Sequence, residues 1–190
     1  PPFVRVHPTL ASVPVIGMYD DKFIPSHEEF VNRIHKRDAK TFMQIALMGG
    51  KIGSDGPSAV YSENYVVKPR ALTTSELEEI VECFIKAAAR AQKAGYDGVE
   101  LHGAHTYLVG AMMSPVLNKR TDKYGGSFEK RMRFAKEIVE GIHQTCPGFA
   151  VGYKMSAHEE IKGGVDIPLG IEIAKYRSEE RRVGKECRSR

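Results

Sequence analysis

The chain has 190 residues, of which 42% are hydrophobic and 27% charged, and its formal net charge at pH 7 is +4. This length suits one globular domain, and no run reaches the roughly 18 apolar residues of a membrane helix, so the composition excludes a spanning protein. Six basic residues against three Glu in the segment 177–190 account for +3 of the charge. The remainder is nearly neutral, which argues against a nucleic-acid partner.

The three cysteines, Cys83, Cys146 and Cys187, are widely spaced and odd in number. This pattern fits neither a disulfide scaffold nor a paired metal site, and it favours a reducing compartment. The first residues show neither the basic nor the apolar part of a secretory leader. We therefore expect the protein in the cytoplasm.

The first 24 residues offer a doubtful strand, because Pro1, Pro2, Pro8 and Pro14 interrupt them. Ser26 then stands three residues before Glu29, a spacing typical of a capping box that predicts the start of a short helix. Farther along, three apolar runs have the length of buried strands and end close to Gly or Ser: 41–48, 98–104 and 149–156.

Two amphipathic helices separate these apolar runs. The first is predicted to begin at the capping box of Thr73 and Glu76 and to stop at Gly95, and the second to open at Ser127 and close before Pro147. Their apolar stripes recur with the helical period and consist of Leu77, Ile80, Val81, Phe84, Ile85 and Ala88, then Phe128, Met132, Ala135, Ile138, Val139 and Ile142.

The alternation of strand and helix predicts an α/β fold with a parallel sheet. An open doubly wound sheet and a (β/α)8 barrel both have this order. The connections after the strands, 49–72 and 105–126, are long and polar, which favours a barrel, and no Gly-x-Gly-x-x-Gly joins a strand to a helix. A whole barrel needs eight strands and about 250 residues. The sequence therefore predicts a fragment of a TIM barrel.

The end of the chain differs in kind from what precedes it. Isoleucines and Leu169 between residues 167 and 173 predict the beginning of a further helix, but 177–190 has no apolar stripe. We expect a partial barrel domain over residues 1–176, and a basic tail over 177–190 that is disordered or foreign to the natural protein.

The densest polar cluster follows the second apolar run. His102 and His105, three residues apart at the end of a strand, can both donate N–H groups to an oxygen that becomes negative during a reaction. Tyr107 adds a phenolic proton. Two alternatives stay open: a pair of structural histidines, and a zinc site that would add Glu100 but lacks an obvious fourth ligand.

Two further side chains are candidates for binding a ligand. Gln44 is a lone amide in the first apolar run, where it can contact the edge of a heterocycle or be satisfied by backbone. Lys154 shares a face with Gly152 and Ser156, and a cation inside a barrel mouth is costly unless it meets an anion or an electron-rich ligand.

The stretch 114–127 is too irregular for a helix or strand and is rich in side chains that bond backbone. It is predicted to be an ordered loop, held together by Asn118, Arg120 and Asp122 rather than contacting substrate.

Two long segments, joined by Ser114-Pro115, carry a family resemblance. They closely resemble the Old Yellow Enzyme family of FMN-dependent NAD(P)H:flavin oxidoreductases, and the similarity extends over about residues 26–176. The segments are Gly95-Tyr-Asp-Gly-Val-Glu-Leu-His-Gly-Ala-His-Thr-Tyr-Leu108 and Asn118-Lys-Arg-Thr-Asp-Lys-Tyr-Gly-Gly-Ser-Phe-Glu-Lys-Arg-Met-Arg-Phe134.

The resemblance implies a (β/α)8 barrel with FMN at its mouth, of which the three apolar runs would be the third to fifth strands. It also implies that NADH or NADPH reduces the flavin and that the flavin passes hydride to an activated alkene, such as an enone or enoate. The implied partner is a small molecule, with no nucleic acid or membrane, and the full-length protein can be a homo-oligomer.

The resemblance also implies roles for single residues. His102 and His105 match the pair that binds the oxygen of the substrate, and Tyr107 matches the tyrosine that protonates the alkene. Gln44 matches a flavin-contacting Gln, and Lys154 stands where the family usually has an Arg near the flavin.

Several positions depart from the family pattern. Leu47 stands where a His is usual, and the nearby Arg is absent or shifted to Lys51. Thr106 replaces the usual Gly, and Lys154 lacks the planar fork of the Arg. An alternative is therefore an inactive barrel fragment or pseudoenzyme, and we expect this chain alone to be inactive.

Overall fold

The computed structural model describes residues 3–7, 16–51, 53–63 and 65–186, with the backbone alone at 3–5 and 179–186. In chain order the strands are β1 (Phe3–Arg5), β2 (Ile16–Gly17), β3 (Phe42–Ala46), β4 (Asp55–Gly56), β5 (Arg70–Ala71), β6 (Gly98–Gly103) and β7 (Ala150–Met155). The α-helices are α1 (Ile24–His35), α2 (Thr74–Lys93), α3 (Leu108–Met113), α4 (Phe128–Thr145) and α5 (Ile167–Glu186). A parallel five-stranded sheet has the order β2-β1-β3-β6-β7, while β4 and β5 pair with each other.

The predicted strands appear as β3, β6 and β7, which confirms the parallel α/β prediction. The upstream segment adds β1 and β2, so the expectation of three convincing strands was too low. Both added strands are only two or three residues long, too short for a periodic pattern to reveal. The four prolines that made a strand uncertain there all lie outside the described residues: Pro1, Pro2, Pro8 and Pro14.

The two long helices begin where their capping residues predict. At the start of α2, the Thr73 hydroxyl accepts from the Glu76 N–H at 3.2 Å, and the Glu76 carboxylate accepts from the Thr73 N–H at 2.7 Å. Gly95, with φ of +85°, follows its last turn. The Ser127 hydroxyl caps α4 by accepting from the Lys130 N–H.

The predicted cap of the first helix was wrong. Helix α1 begins at Ile24, and Ser26 lies inside its first turn, where its hydroxyl donates to the Phe23 carbonyl at 2.9 Å. Pro25 explains the earlier start, because its fixed φ suits the first helical positions and it needs no N–H partner there.

The helices α2 and α4 pack side by side over one face of the sheet. Residues Met43, Ile45, Val99 and Leu101 of the strands share a buried core with Leu77, Ile80, Phe84, Phe134 and Ile138 of the helices. Successive crossover helices lie on one face in a barrel and also within one half of a doubly wound sheet, so this packing is compatible with both architectures.

Helix α5 continues beyond the predicted end of the domain. It runs from Ile167 to Glu186, so the backbone of 177–186 is helical rather than irregular. The Arg177 guanidinium donates to the Met132 carbonyl at 3.2 Å and lies 5.0 Å from the ring centre of Tyr153. The domain limit at 176 and the foreign origin of the tail stay predictions, and 187–190 lie outside the described residues.

Two of the three cysteines can be placed. Cys83 is half-buried and Cys146 buried, and both are free thiols whose pKa is raised by burial. Neither is an activated nucleophile, since activation requires a lowered pKa. Cys187 lies outside the described residues.

The loop 114–127 is ordered by the residues predicted to hold it. The buried Asn118 amide donates to the carbonyls of Met112 at 2.6 Å and Tyr124 at 2.8 Å. Arg120 bonds Asp122 with a forked pair and reaches the carbonyls of Pro57 and Leu72. This confirms that Asn118, Arg120 and Asp122 have a structural role.

Replacing Arg120 with Lys in the full-length protein should lower its unfolding free energy by about 3 kcal/mol, because an ammonium cannot bridge Asp122 and two carbonyls together. Arg120 holds the pKa of Asp122 well below its ordinary 3.8, so the contribution is present above that value and lost as the pH falls. Denaturant titration at several pH values measures it. Arg133→Lys, at an exposed position of α4, is the control; equal losses in both variants would contradict the assigned role.

Candidate active site at the carboxyl ends of the strands

The register of the parallel strands places four polar side chains on the face of the sheet away from α2 and α4. Gln44 of β3 lies opposite Glu100 of β6, and Glu100 lies opposite Gly152 of β7. His102 lies opposite Lys154. Residues opposite one another on parallel strands point to the same face, so Gln44, Glu100, His102 and Lys154 line one surface.

The two predicted histidines and the tyrosine form one cluster of rings. The ring centres of His102 and Tyr107 are 4.7 Å apart, those of His102 and His105 5.2 Å, and those of His105 and Tyr107 6.3 Å. All three contacts are edge-to-face. The structure therefore brings together the three residues that the sequence singled out.

A strained turn positions this cluster. His105 and Thr106 both have φ of +58°, a left-handed conformation that costs a non-glycine residue about 1–2 kcal/mol. It is rarest for a β-branched side chain, and Thr106 occupies the position where a glycine was expected. The family resemblance identified Thr106 as a departure from the usual Gly, but the sequence did not predict the left-handed backbone at this position.

Hydrogen bonds from neighbouring elements hold the turn in place. The His105 N–H donates to the hydroxyl of Ser156 beyond β7 at 3.0 Å, and the Thr106 hydroxyl donates to the His105 carbonyl at 2.6 Å. The Leu108 N–H donates to the Leu47 carbonyl at 3.1 Å. The ends of β3 and β7 thus fix the turn that follows β6.

His102 is neutral at pH 7, with a defined tautomer. It is 3% exposed, and burial, followed by the positive charges of His105, Lys154 and Lys51, lowers its pKa to about 4. Its Nδ1 accepts a long hydrogen bond of 3.4 Å from the Ala104 N–H. The ring proton therefore lies on Nε2, which is an N–H donor.

His105 is exposed, and its pKa is lowered by partial desolvation and by Lys154 and Lys51. Lys51 was only a doubtful match in the sequence. It ends a 3-10 turn that starts at Gly49, where φ is +59° and a Cβ would come within 2.9 Å of the Leu108 nitrogen. Only glycine lets this loop close against the start of α3, and the closure brings the Lys51 charge near both imidazoles.

One alternative from the sequence was that the backbone satisfies the Gln44 amide. In the structure its partner is a side chain instead. The Gln44 side chain is 7% exposed, and its Nε2 donates to Oε2 of Glu100. Glu100 had been considered only as a zinc ligand. Over the described ranges 3–7, 16–51, 53–63 and 65–186, no group of three or more His, Cys, Asp or Glu side chains is close enough to hold a metal ion.

The surface beside Gln44 and Glu100 carries a positive charge and has space for a ligand. Lys154 is exposed and, among the residues that the structure describes, forms no ion pair with a carboxylate. A Cβ at Gly152 would meet only ordinary contacts of 3.7 Å or more, so packing does not demand glycine there. These groups together could bind a flat ring. The Gln44 amide can hydrogen-bond its donors or acceptors, Lys154 can face its electron-rich atoms, and the backbone at Gly152 leaves space for it.

Comparison with known proteins identifies the family. Residues 12–178 match the family described as NADH:flavin oxidoreductase / NADH oxidase. The chain belongs to this family. Its oxidoreductase class, and the flavin and nicotinamide cofactors expected from the sequence, are confirmed at the level of this flavin oxidoreductase family.

Individual relatives agree in sequence and in fold. The chain is 41% identical to an NADH oxidase of Thermoanaerobacter brockii over 84% of its length and 26% of the relative's, and 39% identical to an NADPH dehydrogenase of Halalkalibacterium halodurans over 85% and 48%. Among solved structures, morphinone reductase in complex with tetrahydroNAD has a TM-score of 0.84 at 27% identity, covering 95% of this chain and 57% of that one. Histamine dehydrogenase from Rhizobium sp. 4-9 has a TM-score of 0.83 at 29% identity, over 92% and 27%.

The flavin oxidoreductase chain thus spans between a quarter and half of the length of these curated relatives. No helix among its described residues is long and apolar enough to cross a membrane.

The low pKa of His102 should make stability fall in acid. Its folded pKa of about 4 lies below the ordinary 6.5, so its contribution is present above pH 6.5 and is lost as the pH falls towards 4, by about 3 kcal/mol in total. Denaturant unfolding of the full-length protein across this range should show a shallower pH slope in His102→Gln than in wild type. His158→Gln, at an exposed loop position, should keep the wild-type slope; an unchanged slope in His102→Gln would contradict the assignment.

Proposed function

We propose that the full-length protein is an FMN-dependent oxidoreductase that takes hydride from NADH or NADPH and reduces activated alkenes, such as enones and enoates. The observation that carries this proposal is the ring cluster of His102, His105 and Tyr107 at the carboxyl end of β6. It combines a neutral, buried imidazole donor with a second imidazole and a phenol within 6.3 Å.

The histidines bind the electron-withdrawing group of the substrate. Hydride addition to the β-carbon of an enone shifts negative charge onto the carbonyl oxygen. The Nε2–H of His102 is a donor for that oxygen because its pKa of about 4 keeps the ring neutral and its Nδ1 already accepts from the Ala104 N–H. His105 supplies a second donor, and preorganised donors of this kind stabilise the charge most where water is excluded.

Tyr107 completes the addition as a general acid. Its phenolic proton goes to the α-carbon, so that hydride and proton together saturate the double bond. Tyr107 is the extended residue immediately before α3, and its ring contacts both histidines. These ring contacts support the proposal, because they would keep the acid next to the histidines that bind the substrate oxygen.

When bound, the flavin would supply the hydride for this reaction, taken from NADH or NADPH. Gln44 and Lys154 are the residues that we propose to hold it, Gln44 through its amide and Lys154 through a cation offered to an electron-rich part of the ring. Lys154 keeps the charge of the usual Arg but makes fewer directed hydrogen bonds. Gly152, in the same strand as Lys154, leaves the surface of the sheet open to a flat ring.

We further propose that β3, β6 and β7 are the third to fifth strands of a (β/α)8 barrel that is completed by sequence outside this chain. The full-length protein would be a cytoplasmic enzyme with a small-molecule substrate and no nucleic-acid or membrane partner; homo-oligomerisation is compatible with this role. The 190-residue chain alone should be inactive, because a (β/α)8 barrel builds its site from the ends of several strands, and the chain spans at most about half the length of these curated relatives.

Flavin content distinguishes the enzyme from an inactive barrel fragment or pseudoenzyme. The full-length protein should purify yellow with about one FMN per chain, whereas the 190-residue chain should bind FMN substoichiometrically because its sheet has open edges. Absorbance and fluorescence of the released flavin measure this. A soluble monomer of the 190-residue chain with one tightly bound FMN would contradict the second expectation, and a colourless full-length protein would favour the pseudoenzyme.

Variants of the cluster should fail in different ways in the full-length enzyme. His102→Ala or His105→Ala removes a donor to developing charge, so alkene reduction should slow about a hundredfold, and phenols, whose oxygen resembles that charge, should bind more weakly. Tyr107→Phe should spare phenol binding and flavin reduction by NAD(P)H but slow alkene reduction by about 10²–10⁴-fold.

Stopped-flow measurement of the two half-reactions separates these effects. Equal slowing of both half-reactions in Tyr107→Phe would count against its role as the acid. A bound metal that is lost with phenol binding intact in the histidine variants would support a metal-dependent hydrolase instead.

A further inference from the structure

The Gln44 amide and the Glu100 carboxylate form a hydrogen-bonded pair on the face of the sheet that carries the ring cluster. The two residues lie opposite each other in the pairing of β3 with β6. Nε2 of Gln44 donates to Oε2 of Glu100, and the Gln44 side chain is buried at 7% exposure. The reaction proposed above assigns no role to Glu100.

This pairing determines which end of the amide faces a ligand. An ionised carboxylate only accepts hydrogen bonds, whereas an amide has a donating NH2 end and an accepting carbonyl end. Because Glu100 binds the NH2 end, the carbonyl oxygen of Gln44 is the end that remains for a neighbouring group. Without the carboxylate the two ends are nearly equivalent in shape, and the amide can adopt either orientation.

We propose that Glu100 is a positioning residue that fixes the Gln44 amide, so that Gln44 offers a carbonyl oxygen to the flavin and selects a ring that presents an N–H group. This inference rests on the proposed function, since it needs the flavin to lie on this face. The oxidised isoalloxazine ring system has one such group, at N3. Gly152 lies on the other side of Glu100 in the register and has no side chain to compete with a ring there.

A flavin whose N3 is methylated tests the selection directly. Titration of the full-length apoprotein, followed by quenching of flavin fluorescence, gives the affinities for FMN and for N3-methyl-FMN. Wild type should prefer FMN about tenfold or more, because the methylated ring leaves a buried acceptor without a donor.

The Glu100→Gln variant keeps the shape of the side chain but can donate as well as accept. The Gln44 amide is then free to turn, so the preference for FMN should shrink to about threefold or less. Glu137→Gln is a matched control, because Glu137 is also a hydrogen-bonded carboxylate but lies on α4, on the other side of the sheet. It accepts from the Tyr124 hydroxyl at 2.6 Å. This variant should retain the wild-type preference.

Exchanging the pair separates positioning from a general effect on folding or charge. Gln44→Glu alone sets two carboxylates opposite each other and should weaken FMN binding about tenfold or more. The Q44E/E100Q double variant restores one donor facing one acceptor and still offers an oxygen to the ring. Its preference for FMN over N3-methyl-FMN should return towards that of wild type.

Two results would overturn the role of Glu100 while leaving the proposed function intact. One is a Glu100→Gln protein that keeps the full preference; the other is one that loses affinity equally for both flavins. A full-length wild-type protein that binds neither flavin would overturn the proposed function and this inference together.

Discussion

The pleat and register of three parallel strands are the constraint on which the rest of the structure depends. Because side chains alternate along a strand, a pairing that buries Met43, Ile45, Val99 and Leu101 beneath the helices must turn the intervening residues to the other face. A slip by one residue would send the polar residues into the core and the apolar ones to the open face. The hydrophobic core therefore specifies the site as strictly as it specifies the fold.

The core fixes directions, but a second set of contacts fixes the ring cluster. The turn after β6 carries His105 and Thr106 in left-handed conformations that a free chain would avoid. Such strain persists only where the surroundings over-determine the backbone, and here the Ser156 hydroxyl and the Leu47 carbonyl hold the turn from both sides. The segments after β3 and β7 thus act as supports for the histidines rather than as simple connections.

Elements with a strong local signal could be predicted from the sequence. The capping box at Thr73 and the apolar stripe behind it predicted α2, and the family resemblance pointed to the ring cluster before any geometry was known. The start of α1 was misjudged because the capping pattern at Ser26 competed with the helix-initiating Pro25, and local propensity favoured the latter. Strands β1 and β2 are too short to show the alternation of apolar and polar residues that identifies a strand in a sequence.

The remaining features of the site depend on neighbours distant in sequence. No local pattern indicates that Glu100 accepts from Gln44, 56 residues earlier, or that Lys51 lies near histidines on another strand. These contacts exist because three strands align in one register and because Gly49 allows a close approach. Residue type predicted which side chains carry chemistry, whereas only the packed sheet determines which charges act on one another.

The arrangement of charge along the open face follows the direction of the strands. The Glu100 carboxylate is hydrogen-bonded to Gln44 nearer the amino ends of the strands. Two residues farther along, Lys154 lies opposite His102, and Lys51 follows the end of β3. Burial and, after it, the cations lower the pKa of both histidines, and His102, whose pKa is about 4, remains neutral at pH 7. The same positive charges favour negative charge on an oxygen bound between the imidazoles. For the proposed reaction, the same lysines would thus both contribute to the lowered pKa of the histidines and stabilise the negative charge on the oxygen that the imidazoles bind.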